Sequence, residues 1–197
     1  MARRREEMVE ETRASLIRAA RHAFATKGYA AAAMDELTAN AGLTRGALYH
    51  NFGDKKGLLQ AVIDQIDAEM LARTRAASEH AETPWAAFVQ EGIAYIEMSL
   101  EPEIQRIMLL DGPAVLGDPS RWPNQTACLR TTTDAVQALI DAGTVKPVDA
   151  EAVARLVNGT ALNAALWIAA ADDPEAVMAK SVEAFRQLVS GLLRDDG

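Results

Sequence analysis

Residues 37–58, LTANAGLTRGALYHNFGDKKGL, decide how the rest of this chain is read. Met34, Leu37 and Ala41 recur at i, i+3 and i+7, the spacing of one apolar face of a short helix. Gly42 tolerates the positive φ that ends such a helix and turns the chain. Thr44 offers a hydroxyl as the N-cap of a second short helix. Leu43 (N′) and Leu48 (N4) stand at the two positions of a hydrophobic staple. Two short helices joined by a tight glycine-containing turn make a helix-turn-helix, whose second helix fits the major groove of DNA.

The surface of that second helix suits the role. Arg45, Gly46 and Ala47 form its first turn, where Gly46 lets backbone N–H groups approach a phosphate. Arg45 adds a planar donor for a phosphate or a guanine edge. Tyr49, His50 and Asn51 follow as three polar-tipped side chains, anchored beneath by Leu48 and Phe52. Asp54 reads as the N-cap of a long amphipathic helix whose first turn holds Lys55 and Lys56. Positive charge there opposes the helix macrodipole, and a docked phosphate would resolve the conflict. The plainer alternative, that Tyr49 and His50 only cover a small core, leaves the cap, the turn and the basic flank unexplained.

Residues 12–58 resemble the N-terminal domain of the TetR family of bacterial transcriptional repressors. The resemblance rests on a helix from Thr12 to Lys27 ending at Gly28-Tyr29, on the run from Ala41 to Tyr49, and on Phe52, Lys55 and Leu58. It implies DNA contacts from Thr44, Arg45, Tyr49, His50 and Lys55, with Tyr49 and Lys55 on phosphates. It also implies pairing through the last two helices and a ligand pocket among helices four to eight. The chain departs from the family in two places. Ala32 and Ala33 stand where the family has Thr and then Ser or Thr, so a hydroxyl N-cap worth about 1 kcal/mol is missing. Thr38 replaces the usual Ala.

Composition narrows the remainder. The 197 residues suffice for one domain or two small ones, and 49% hydrophobic with only 5% aromatic content favours an all-α fold. The lone Cys128 excludes an intrachain disulfide and fits a reducing compartment. The first residues, MARRREEMVEE, hold no apolar signal core, and no run of about 18 apolar residues suggests a membrane span, so a cytoplasmic protein is expected. The net charge of −8 divides unevenly: residues 1–58 carry +3 and residues 59–197 carry −11. Basic charge therefore collects on the DNA-reading segment. Arg3, Arg4 and Arg5 form a basic arm that suits a minor groove or phosphates, and equally suits a solvated tail.

Helix signals recur to the C-terminus. About nine helices are predicted, in a DNA-binding domain at 1–58 and a ligand-binding and dimerisation domain at 59–197. Residues 111–124, DGPAVLGDPSRWPN, read as a break and loop. On the last two helices Val157, Ala161, Ala165, Ala169, Val182, Phe185, Val189 and Leu192 are the candidate interface of a homodimer, with intrachain core as the competing account. Trp85, Phe88, Tyr95, Met98, Met108, Trp122, Asn163 and Trp167 are the candidate lining of an effector pocket, again against ordinary core. His22, His50 and His80 are scattered and Cys128 has no nearby base, so no catalytic residue, cofactor or metal is assigned. The leading expectation is a repressor that binds a palindromic operator as a homodimer and is released by a small apolar or amphipathic effector. The alternative is a DNA-bound adaptor that docks a protein.

Overall fold

The computed structural model describes residues 2–194, with side chains from Glu7 onward. Among the described residues the chain is all-α: α1 (Ala2–Lys27), α2 (Met34–Asn40), α3 (Arg45–Phe52), α4 (Lys55–Ser78), α5 (Pro84–Met98), α6 (Gly112–Leu116), α7 (Pro123–Asp141), α8 (Ala150–Ala169) and α9 (Pro174–Ser190). A π-helical segment, Ile104–Asp111, leads into α6, and a 3-10 turn, Pro119–Arg121, follows it. The only β pairing among these residues is one antiparallel bridge between Val145 and Leu193.

Side-chain caps set most of the helix starts. Thr44, Asp54, Thr83, Asp149 and Asp173 accept from the backbone N–H of Ala47, Gly57, Ala86, Ala152 and Ala176 at 3.3, 2.7, 3.1, 2.7 and 3.1 Å. Pro84, Pro123 and Pro174 occupy first-turn positions, where a missing N–H costs nothing. Two boundaries differ from the sequence reading. α1 starts at Ala2 instead of Thr12, and the expected loop at 111–124 contains α6 and the 3-10 turn. Pro113 accounts for the π geometry. Its ring crowds the carbonyl four residues back and it donates no N–H, so the preceding turn widens and Gly112 N–H reaches back five residues to Ile107.

The described residues form two compact units, one of residues 2–66 with 102–117, the other of residues 67–101 with 118–194. In the first, α1 packs on α2, α3 and the π segment. Leu16, Ala20 and Phe24 of α1 are fully buried, as are Leu37, Leu48, Leu58, Leu59, Val62 and Ile63. Residues 102–117 thus pack with the helix-turn-helix, although the sequence reading set them in the C-terminal part.

In the second unit Val89, Ile93 and Ile96 of α5 close on Ala161, Ala164 and Ile168 of α8 and on Phe185 and Val189 of α9. Gly92 makes the α5–α9 approach possible: a Cβ there would lie 2.5 Å from Phe185 Cζ. α8 is long and apolar enough by composition to cross a membrane, but it packs against α5, α7 and α9.

Candidate nucleic-acid interface

α2 and α3 meet at a turn built on Gly42, whose φ is +66°. Thr44, extended at φ −96° and ψ 158°, caps α3, and Leu48 beneath is fully buried. Gly46 faces open space on its Cβ side apart from the Thr44 hydroxyl oxygen at 3.7 Å. Tyr49 is 53% exposed and His50 is exposed beside it. α3 therefore presents Arg45, Gly46, Tyr49 and His50 outward over an apolar underside. α2 starts without a side-chain cap, because Ala33 has the extended backbone of an N-cap but no hydroxyl. Thr38 is buried and satisfies its hydroxyl on the Met34 and Asp35 carbonyls, both at 3.1 Å.

Three side chains assigned to DNA are engaged within the protein. Arg45 pairs with the exposed Asp35, its Nη2 at 2.5 Å from Oδ2. Asn51 turns its amide back to the Ala47 carbonyl at 2.8 Å, one turn earlier on its own helix. Lys55 donates to the Tyr29 carbonyl and rests 4.4 Å from the centroid of that ring. Burial lowers the Lys55 pKa, while the charge of Asp111 acts in the opposite direction. Arg13, missed by the sequence reading, supports the same face. Its guanidinium lies 4.6 Å from the Phe52 centroid and donates to the Asn51 carbonyl at 3.2 Å. The side chains of Arg3, Arg4 and Arg5 lie outside the described residues, and their backbone belongs to α1.

The other assigned residues separate. Trp85 and Phe88 stack obliquely at 5.8 Å, and with Tyr95 they border the second unit's core. Met98 and Trp122 are buried in that unit, whereas Met108 is buried in the first. Asn163 is exposed and Trp167 is 55% exposed, so neither lines an interior pocket within the chain. Ala161, Ala165, Phe185 and Val189 are buried within their own chain. Val157, Val182 and Leu192 pack onto the same core half-buried, and Ala169 is also half-buried. The competing account, intrachain core, holds for the four buried residues. The apolar groups that α8 and α9 leave open are Leu156 (72% exposed), Trp167 and Leu188 (65%). Leu156 and Trp167 are eleven residues apart, about three helical turns, a periodicity visible in sequence once the small-residue stripe is assigned inward.

A polar cluster accompanies the α5 aromatic residues. Phe88, Glu91 and Tyr95 recur at i, i+3 and i+7. Glu91 accepts from the Ser78 hydroxyl at 2.9 Å. Asn158 approaches Cys128 Sγ at 3.7 Å and accepts from the Thr132 hydroxyl at 3.1 Å. Burial first, then the nearby Asp67 carboxylate, pushes up both the Tyr95 phenol and the Cys128 thiol. No group of three or more metal-binding side chains occurs among the described residues.

Comparison with known proteins agrees with this geometry. Residues 16–62 match the family model described as bacterial regulatory proteins, tetR family, and residues 85–192 match the tetracyclin repressor-like C-terminal domain. The HTH-type transcriptional regulator TtgR of Pseudomonas putida is 42% identical over 66 residues, which cover 34% of this chain and 31% of that protein. The chain thus spans about a third of that curated relative's length. The transposon Tn10 TetC protein of Escherichia coli is 28% identical over 170 residues, 82% of each chain. A crystal structure of a TetR-family transcriptional regulator from Pectobacterium atrosepticum superposes with a TM-score of 0.87 at 50% identity, covering 95% of this chain and 96% of that one. A match over both segments, together with half-identity over nearly the whole length, makes this chain a member of the TetR family of DNA-binding transcriptional regulators, which are not enzymes.

Proposed function

We propose that this regulator is a cytoplasmic repressor that binds a palindromic operator as a homodimer and is released by a small amphipathic effector. One observation carries the DNA part: a Thr44-capped α3 that exposes Arg45, Tyr49 and His50 above a buried Leu48. A helix of this length offers two turns of contact, so a palindrome is read by two copies. The open side chains Leu156, Trp167 and Leu188 support pairing of α8 and α9 with a second copy, which would bury them. The boundary between DNA-reading and effector-binding parts, expected at residue 58, is drawn further along α4, near residue 66, with residues 102–117 on the DNA-reading side.

For the effector, Tyr95, Cys128 and Asn158 supply a phenol, a thiol and an amide, with Asp67 and Glu91 nearby. Such a wall beside aromatic rings suits an amphipathic compound that donates hydrogen bonds or carries positive charge. Phenyltrimethylammonium and its uncharged isostere tert-butylbenzene test this. The cation should bind more tightly, and Asp67→Asn should narrow the difference. An equal or reversed preference would sink the charge argument alone. The repressor reading is tested by selecting genomic fragments with the purified protein and measuring affinity for the selected duplex. Tyr49→Ala should weaken binding to all duplexes, and His50→Ala should also change the preferred sequence. If both variants bind the selected duplex at full strength, the assignment of α3 fails.

A further inference from the structure

The run DGPAVLG at 111–117 has no place in the DNA-binding or effector readings, yet its first residue makes specific contacts in the helix-turn-helix unit. Asp111 Oδ2 accepts from the Tyr29 backbone N–H at 2.7 Å and from Arg106 Nε at 3.1 Å. The Arg106 guanidinium lies against Gly28: a Cβ at that residue would sit 1.8 Å from Nη2. Gly28, at φ +80°, is where α1 ends and the chain turns into Tyr29. Glu103, on the same approach, takes Arg21 of α1 in a two-pronged pair at 2.8 and 2.7 Å.

Tyr29 is therefore held from both sides. Its N–H goes to Asp111, and its carbonyl and ring receive Lys55. An ammonium has three N–H donors. With one spent on the Tyr29 carbonyl, two remain for a phosphate. Arg106 meanwhile pairs with the Asp111 carboxylate at 3.1 Å, so the acceptor of the Tyr29 N–H is itself held in place by a cation.

We infer that Asp111 is a positioning residue for DNA binding: by holding the Tyr29 N–H it fixes the carbonyl and ring on which the Lys55 ammonium rests, and so aims that ammonium at a phosphate. The inference rests on the reading of Lys55 as a phosphate ligand. It assigns the acidic start of the DGPAVLG run to the DNA-binding function.

The test is the salt dependence of binding to a mixed-sequence DNA duplex. Removing one phosphate interaction flattens the slope of log K against log salt by about 0.9. Lys55→Ala and Asp111→Ala should flatten it equally, and the double variant should be no flatter than either single one. Asp111→Asn, which keeps an acceptor for Tyr29, should restore the wild-type slope. Were Asp111→Ala to keep the wild-type slope, or to add to Lys55→Ala, the positioning role would be overturned. An unchanged slope in Lys55→Ala would instead remove the phosphate reading of Lys55 itself. Amide exchange in the wild-type protein gives a second measure, independent of whether Asp111→Ala folds. The Tyr29 amide should be protected, and exchange at the rate of an open amide would overturn the proposal.

Discussion

The helix-turn-helix unit and the α5–α9 unit are held together by different means. α2 and α3 are seven and eight residues long, too short to persist alone. They depend on a glycine turn, a threonine cap and a few fully buried leucines. α5, α7, α8 and α9 run for 15 to 20 residues and close on two apolar clusters bordered in common by Phe88, Val157 and Leu192. In the first unit the outward face is polar and has the chemistry to meet DNA. In the second, the outward face is what an amphipathic helix has left after filling its own core. A local signal locates function where the helix is short and its faces are few. Where every helix is apolar over most of its surface, the same signal is divided between core and interface.

The sharpest break of that contrast comes from the core of the second unit. Phe185→Glu should unfold it, at a cost above about 4 kcal/mol, because the ring fills the space over Gly92 and the carboxylate would have no partner there. Thermal denaturation followed by circular dichroism should show the loss. A folded monomer would instead return Phe185 to the interface. Leu188→Glu should act in the opposite sense. Chain stability should stay within about 0.5 kcal/mol, while dimer affinity measured by sedimentation falls at least about tenfold. A Leu188→Glu or Trp167→Glu protein that dimerises like the wild type would place the dimer interface elsewhere.

Smaller changes sharpen the first unit. Ala33→Ser restores a hydroxyl to a residue whose backbone, φ −77° and ψ 141°, already suits an N-cap. It should stabilise by about 1 kcal/mol and raise the Tm by about 2–4 °C. Thr44→Ala should lose a similar amount at the start of α3. The smallest effect is assigned to Asp35→Ala, which releases Arg45 and removes a negative charge from the DNA side. Melting should hardly change, and affinity for a duplex should rise by less than about fivefold. A fall in affinity would mean that Asp35 orients Arg45 instead of restraining it.

Much of the first unit was legible residue by residue. Gly42, Thr44, Leu48 and Asp54 act through neighbours three or four positions away, so their spacing carries the information. The Asn51 amide donates to the Ala47 carbonyl one turn back, a competition that local composition does not reveal. Lys55 stood out through its conflict with the helix dipole, but the group it rests on, Tyr29, is 26 residues away. Ala161 and Ala165 read as a close-packing stripe; both are buried within their own chain, Ala161 against α5 and α9.

From sequence alone followed the helical class, the helix-turn-helix with its cap and turn, the segregation of basic charge and the resemblance to TetR regulators. All of these rest on periodicity, φ preferences and capping, which operate within a few residues. Tertiary structure alone decided which apolar face of α8 and α9 turns inward. It also brought Asp111 to the amide of Tyr29, 82 residues away. Burial and long-range hydrogen bonds depend on which elements meet. That choice is made by packing the whole chain, because an apolar residue on a helix is equally at ease against any surface that removes it from water.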